Sequence, residues 1–317
     1  MNARQKEVMQ SQLNDENAVL KALKKNYEDA LMEIEGKIAQ LMARHDADMS
    51  HVIYQVQYQQ ALKTQIQAIL EQLQTKEFET ISEYLTKAYE EGFLGTMYDL
   101  QGQGIPLIFP LDQEQIVAAI MTESNLSTTL YAKLGKDVKD LQKKIAAEIA
   151  RGLSTGMMYG EIARNLQAMA KIPMNNAMRI ARTEAHRIQC KAAFDAQHKA
   201  KSKGADVVKQ WNSVLDGKTR DSHRKMDEEI RELDEPFSNG LQYPGDPDGR
   251  ASEVINCRCS LDQRARWNLG MPSGKKKGDI VEDKDGTAYY VNVESDNFNE
   301  FKGYYRDITG QMTMYIK

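Results

Sequence analysis

The first 92 residues carry their hydrophobic side chains in narrow, regular stripes. Successive apolar positions are separated by four and three residues in turn, which is the 3.5-residue period of a coiled-coil seam. The two seams are Tyr27, Leu31, Ile34, Ile38 and Leu41, and then Leu62, Ile66, Ile69, Leu73, Phe78, Ile81 and Leu85. Residues 1–92 contain no proline. The pattern predicts two long amphipathic helices, with the polar stretch at 44–51 either separating them or interrupting the seam.

Two arrangements would bury such narrow stripes. The helices can fold back on each other as an intramolecular hairpin, or they can offer their apolar stripe to a partner protein or to a second copy of the chain. We expect residues 1–92 to be an assembly and partner-binding region, and self-association through these helices stays open.

The stretch FLGTMYDLQGQGIPLIFPLD, residues 93–112, is rich in glycine and proline. Such a composition interrupts regular structure. It predicts a linker.

Helical periodicity returns after residue 112. QEQIVAAIM, KDVKDLQKKIAAEIARGL and YGEIARNLQAMAKI each predict a helix, with Gly152 and Gly156 at the turn between the last two. A further helix is predicted to start at Asn175 or Asn176 and to end at Gly204 after basic residues that suit the helix dipole. A DNA-reading role for the loose helix-turn-helix would need Arg, Asn or Gln at base edges. Any helix surface offers these, so helix packing is favoured.

Beyond Gly204 the pattern changes to strands and turns. VVKQWNSV predicts a strand, EIRELDEPFSNG a short hairpin, and VINCRCSL a strand that turns both thiols, with Ile255 and Leu261, to one buried face. The tail predicts strands at TAYYVNV and MTMYIK and a hairpin turn at Asp285-Gly286.

These elements predict an α+β protein that is predominantly helical. We expect the long coiled-coil-like helices at 1–92, the linker at 93–112, a helical domain with a small antiparallel sheet at 113–270, and a short β-rich tail at 271–317.

Composition narrows the function classes. With a net charge of −4, the chain has no overall positive field that would attract nucleic acid. Three cysteines in 317 residues do not form a secreted disulfide framework, so a reducing compartment is expected. No signal peptide is recognised, and no apolar run approaches the roughly 20 residues of a membrane span.

Four motifs between residues 179 and 261 stand in a specific order: RIARTEAHR, WNSVLDGKTRDSHRKMD, YPGDPDG and INCRC. Together they resemble the phage head morphogenesis family, the Mu F-like minor head proteins of tailed bacteriophages, over roughly residues 115–265. The family pattern falls on Arg182, Thr183, Glu184, Trp211, Asp216, Thr219, Arg220, His223, Pro244, Gly245, Asp246, Pro247, Asn256, Cys257, Arg258 and Cys259. One departure is visible, because the family commonly has a glycine after the aspartate where this chain has Glu228 after Asp227.

The resemblance implies a structural protein of the virion, in the phage head interior or near the portal, made in the host cytoplasm. Its implied partners are portal, major capsid or scaffold proteins, and in some cases double-stranded DNA bound without sequence specificity. An enzyme or toxin-type effector carried in the particle is the alternative function.

The chemistry of the INCRC motif has three interpretations. His223, Cys257 and Cys259 could bind zinc, with Asp216 or Asp227 as a fourth ligand, although C-x-C spacing requires the strand to bend. The favoured interpretation has no cofactor: Arg220, Asp216 and Glu184 form a polar network and the thiols are small buried hydrophobes. A catalytic Cys-His pair, with Asp216 as the third member of a triad, is least favoured because neither thiol begins a helix and no oxyanion turn adjoins it.

Local basic groups offer a DNA surface despite the net negative charge. Arg179, Arg187, Lys199, Lys201 and Lys203 are the candidate phosphate contacts, besides Arg182 and the run at 275–277. Solvated helix faces are the competing interpretation.

Overall fold

The computed structural model describes residues 1–47, 52–121, 127–155, 159–277, 279 and 286–311. The helices are α1 Ala3–Ala47, α2 Val52–Gly102, α3 Gln113–Met121, α4 Ser127–Thr155, α5 Tyr159–Ser202, α6 Asp221–Lys225, α7 Ala251–Val254 and α8 Phe298–Thr309, with a short 3-10 helix at Arg266–Leu269. The strands are β1 Leu107–Ile108, β2 Val207–Asn212, β3 Ile230–Arg231, β4 Ser260–Ala265 and β5 Tyr289–Tyr290. The predicted α+β class, predominantly helical, is confirmed.

The chain forms two compact units that interleave along the sequence. The first consists of Met1–Glu16, Tyr84–Ser127 and Arg182–Lys317, and the second of Asn17–Glu83 and Thr128–Ala181. Within the described ranges, no helix combines the length and the hydropathy that crossing a bilayer requires.

The second unit packs segments of four helices. Hydrogen bonds join neighbours in turn: Asn26 to Thr80 for α1 and α2, Asn176 to Asp137 for α5 and α4, and Gln167 to Glu35 for α5 and α1. Most of the predicted seam positions whose burial is described lie buried here, among them Tyr27, Ile34, Ile38, Leu62, Ile66, Ile69 and Leu73. The stripes are therefore covered within the chain, as in the hairpin arrangement. Of the polar stretch at 44–51, residues 44–47 end α1 and residues 48–51 lie outside the described residues.

Helix α5 corrects one predicted boundary. The sequence predicted a new helix starting at Asn175 or Asn176, but α5 begins at Tyr159 and continues through Pro173. Burial of Pro173 and Ala177 against the rest of the unit keeps the helix continuous past the proline. Gly156, at the predicted turn before this helix, lies outside the described residues.

The predicted linker at 93–112 is also corrected in its first half, because α2 continues to Gly102 and residues 93–101 are buried. The glycines there permit close packing. A Cβ on Gly95 would lie 2.5 Å from Val8 Cγ1, and one on Gly102 would lie 2.6 Å from Arg4 Cδ. Their small size thus serves helix contact and not chain reversal.

The sheet of the first unit has the order β3-β2-β4, and both pairings are antiparallel. The central strand β2 pairs Trp211 with Leu261 of β4, and the fully buried indole anchors one apolar core. The members of this core are Cys190, Ala193, Trp211, Met226, Phe237, Leu241, Tyr243, Val254, Cys257, Cys259 and Leu261.

Two β predictions near the C-terminus are corrected. VINCRCSL is not one strand: its start is α7, residues 255–259 are irregular, and β4 begins only at Ser260. In the tail, the predicted strand TAYYVNV is reduced to β5, which pairs with β1, and the chain then forms α8. Helix α8 is amphipathic, burying Phe298, Phe301 and Tyr305. The MTMYIK strand and Asp285 fall outside the described residues.

Candidate functional site

His223 is held inside the core by the short helix α6. Its side chain is buried, and its ring meets the Trp211 indole edge-on at 5.2 Å between centroids. Ser213 Oγ donates a hydrogen bond to the His223 carbonyl oxygen at 2.8 Å, which ties the helix to the end of β2. The imidazole therefore has a fixed position.

Both thiols of the INCRC motif reach this imidazole because the chain bends before β4. Asn256 adopts a left-handed conformation with φ of 55°, and the Cys257 amide donates to the Val254 carbonyl oxygen. Nδ1 of His223 lies 3.3 Å from Cys259 Sγ and 3.6 Å from Cys257 Sγ. Because of this bend, two thiols with C-x-C spacing can face the same imidazole.

The thiols are electrostatically unequal. Cys257 is hydrogen-bonded to the Cys259 sulfur, and this bond, aided by His223 and Ser213, lowers the pKa of Cys259 below its usual range. The same bond, together with burial, raises the pKa of Cys257. The pair is suited to holding one shared proton or a cation between the sulfurs.

Glu253 completes the cluster. Its Oε2 lies 2.9 Å from Nε2 of His223 and also accepts a hydrogen bond from Ser222 Oγ at 3.0 Å. The carboxylate favours the tautomer with hydrogen on Nε2, which leaves a lone pair on Nδ1 facing the sulfurs. Sequence reasoning missed Glu253 because nothing in its spacing marks a residue of α7 as the partner of a histidine in α6.

The polar network predicted from Arg220, Asp216 and Glu184 has different partners. Asp216 accepts hydrogen bonds from both terminal nitrogens of Arg258, at 2.5 and 2.6 Å. Its predicted partner was Arg220. Arg220 donates to the Ile255 carbonyl oxygen, and Glu184 pairs with Arg187. The predicted network among Arg220, Asp216 and Glu184 is therefore wrong.

Both carboxylates proposed as a fourth ligand are engaged elsewhere. Asp216 is paired with Arg258, and Asp227 Oδ1 accepts a hydrogen bond from the Ser213 amide at 2.8 Å. His223, Cys257 and Cys259 remain as a three-residue cluster whose ligand atoms lie within 4.8 Å of one another.

The remaining motif residues hold the segment before β4 against α5. Thr183 Oγ1 accepts from the Asn256 amide at 3.3 Å, and His186 Nε2 contacts the Cys259 carbonyl oxygen at 2.6 Å. Burial lowers the pKa of His186, so the neutral ring donates this bond through Nε2. These contacts give the Arg-Thr-Glu helix a structural role.

The PGDP loop closes on the same helix. A Cβ on Gly245 would lie 3.1 Å from His186 Nδ1 and 3.2 Å from Arg187 Cα. The buried Asp246 accepts from the amides of Gln242 and Asp248, which fixes the turn. Pro244 is buried beside it.

The candidate phosphate contacts are not one surface. Arg187 and Lys203 are buried, which corrects their assignment as DNA contacts, since buried cations cannot meet a duplex. Lys199 donates to the Pro110 carbonyl oxygen, and the exposed Lys201 lies near Asp234 and Glu232. Arg179 is exposed, and Arg182, exposed as well, pairs with Glu16.

A cavity of about 1100 Å³ lies in the first unit beside the cluster. Its lining includes Cys257, Cys259, Arg182, Glu16 and residues of the N-terminal segment. Cys190 also lines it, so the wall offers three thiols, the Arg182–Glu16 ion pair, further cationic side chains and apolar side chains.

Comparison with known proteins agrees with the motif pattern. Residues 143–262 match the model of the family described as phage Mu protein F like protein. Over this range the chain is similar to the Mu F-like family. The match lies inside the range 113–270 and includes each motif residue from Arg182 to Cys259.

Two curated relatives extend beyond the Mu F-like domain. Minor head protein GP7 of Bacillus phage SPP1 is 26% identical over 249 residues, covering 76% of this chain and 80% of that protein. NAD(+)–arginine ADP-ribosyltransferase EFV of Enterococcus faecalis is 29% identical over 265 residues, covering 79% of this chain. The chain spans 54% of that second relative, about half its length. No solved structure matches.

Proposed function

We propose that this protein is a structural minor head protein of a tailed bacteriophage or prophage, acts in head morphogenesis and is not an enzyme. The observation that carries the proposal is the likeness to Minor head protein GP7, which spans 249 residues and so reaches well beyond the Mu F-like domain. The motif residues support a structural role, because most of them hold chain segments together within the first unit.

The protein belongs, in this proposal, to the virion, in the head interior or at the portal. Its partners would be portal, major capsid or scaffold proteins. Because the described apolar seams of α1 and α2 are largely buried within the chain, contacts through these helices would use their charged outer faces, and self-association would not use the seams.

Deletion of the gene from the phage that encodes it tests the role. Heads should then form in lower number or with lower infectivity, and mass spectrometry of wild-type heads should detect the protein. Normal heads without the gene, together with its absence from wild-type heads, would contradict the proposal. Co-expression with the portal protein of the same phage, followed by gradient sedimentation, tests the portal contact separately.

Contact with packaged DNA is the finer part of the proposal. It rests on the exposed cations Arg179 and Lys201 and on Lys276 and Lys277, which are also exposed. Binding through phosphates should weaken steeply as salt rises from about 50 to about 200 mM. Replacing the adjacent Lys276 and Lys277 by alanine should weaken duplex binding, whereas Lys24→Ala, at an exposed lysine paired with Glu28, should not. A titration without salt dependence would exclude this contact.

An ADP-ribosyltransferase activity is the second candidate, suggested by the name of one relative. Nearly half of that relative has no counterpart in the matched region, so the name does not by itself assign the activity to the part shared with this chain. Incubation with labelled NAD+ and an arginine-containing acceptor should give no transfer. Transfer above that of a heat-treated sample would replace the structural proposal with the enzymatic one.

A further inference from the structure

We propose that His223, Cys257 and Cys259 bind one zinc ion through the imidazole Nδ1 and two thiolates, with one solvent molecule as the fourth ligand. This site goes beyond the proposed role in the head, and each can hold without the other. Its ligands come from two separate parts of the chain, α6 and the bend before β4.

The interatomic distances fit a tetrahedral ion. With zinc–sulfur bonds of about 2.3 Å and a zinc–nitrogen bond of about 2.0 Å, tetrahedral angles separate nitrogen and sulfur by about 3.5 Å. The separations in the structure are 3.3 and 3.6 Å, and the cysteines are not joined in a disulfide. An ion could therefore enter with sub-ångström adjustments of the side chains.

The imidazole is already oriented as a ligand. Glu253 engages Nε2 at 2.9 Å, so the lone pair of Nδ1 faces the thiols. Metal-binding histidines almost always use their second nitrogen in this way, because a carboxylate fixes the tautomer and makes the ring more basic. Packing of two inert thiols against a histidine would not need this carboxylate.

Charge balance also favours zinc. Each sulfur binds the ion as a thiolate, so any proton that it still carries passes to water. Two thiolates and Zn²⁺ sum to zero charge, and a neutral complex suits a place where both cysteines are buried. Thiolate and imidazole are the donors that zinc prefers.

The fourth position is available to solvent. Among the described residues, no other histidine, cysteine or carboxylate joins the three-residue cluster. A cavity of about 10 Å³ adjoins it, lined by His223, Cys259, Thr219, Arg220 and Asn256 among others. That volume is close to the space one water molecule needs.

Metal analysis of the full chain, purified without chelator or added metal, is the direct test. We expect about one zinc ion per chain, and loss of most of it in Cys257→Ser, Cys259→Ser and His223→Gln. The matched control is Cys190→Ser, because Cys190 is the remaining cysteine, equally buried, and is not a member of the cluster. It should retain the ion.

Cobalt binding to the wild-type chain tests the site even if a cysteine or histidine variant folds poorly. Wild-type protein stripped by chelator and given Co²⁺ should show thiolate-to-cobalt charge-transfer absorption, as should Cys190→Ser. Glu253→Gln should retain the absorption but bind zinc about 10- to 100-fold more weakly, as expected for a positioning residue.

Two results would overturn the site. One is wild-type protein that contains no zinc and gives no charge-transfer band with Co²⁺ while its circular dichroism is that of a folded chain. The other is chelator-treated wild type in which added Zn²⁺ does not slow the alkylation of Cys257 and Cys259, since thiolates bound to an ion would be protected.

Discussion

Asp216 and Arg258 form a bidentate ion pair, with both nitrogen–oxygen distances at 2.5 to 2.6 Å. The pair joins the turn before α6 to the segment between the two cysteines. It therefore links two motifs that lie 42 residues apart in the sequence.

Arg258→Lys should lower the melting temperature at about pH 7, because an ammonium group cannot engage both carboxylate oxygens in parallel. The guanidinium lowers the pKa of Asp216, so the stabilisation is present above the unfolded-state pKa and is lost as pH falls through the folded-state value. The melting temperatures of the variant and the wild type, measured by calorimetry, should thus converge in strong acid and also in high salt.

Arg306→Lys is the control for this pair. Its contact with Asp307 is longer, at 3.4 Å, and both side chains are more exposed, so little change is expected. An equal loss of melting temperature in both variants would show that the Asp216–Arg258 geometry has no special effect.

Glu228→Gly should stabilise the protein by about 1 kcal/mol, since a side chain in the left-handed region carries a steric cost that glycine avoids. Glu228 has φ of 64° and its amide donates to the Trp211 carbonyl oxygen at 2.9 Å, so the conformation is fixed by the sheet. This is the position where the family commonly has glycine. Denaturant unfolding measures the gain, and Glu228→Ala, which keeps its Cβ, should show none. A similar gain in both would assign the effect to the carboxylate.

Gly245→Ala should destabilise the protein more than Gly240→Ala does. The two glycines have nearly the same φ, 83° and 84°, so alanine adds similar backbone strain at each, about 1 to 2 kcal/mol. Only at Gly245 does the new Cβ also meet His186 and the α5 backbone; nothing lies within 4 Å at Gly240. The difference between the two unfolding free energies measures this contact. Equal losses would show that the PGDP loop does not need its close approach to α5.

Glu77→Gln should remove a pH dependence of stability. Burial raises the pKa of Glu77 to about 7, so the unfolded chain ionises first as pH rises. The free energy of unfolding should therefore fall between about pH 4.5 and about pH 7, by an amount of order 3 kcal/mol. The glutamine variant should be flatter over this range and more stable than wild type at about pH 8, as urea unfolding at several pH values can show. The exposed Glu79→Gln should follow wild type; if Glu77→Gln also follows it, the carboxyl is not buried as the structure has it.

Local sequence determined much of the fold. The 3.5-residue seams specified α1 and α2, because apolar residues at that spacing share one face only if the chain is helical. The β-branched and aromatic run at Val207–Asn212 specified β2, and the ordered motifs specified the Mu F-like domain. These features depend on neighbours in sequence, so the sequence was sufficient.

Tertiary structure decided what the polar and small residues do. Gly95 and Gly102 indicated a linker, yet they allow α2 to approach α1 closely, a difference set by residues such as Val8 that are distant in sequence. Alternation put Cys257 and Cys259 on one buried face, and both are buried, but the bend at Asn256 and not a strand turns them to His223. The partners of Glu253 and Arg258 are set by the tertiary structure alone. Hydrogen bonds and ion pairs require distances of about 3 Å, and no spacing in the sequence specifies such a distance between separate elements.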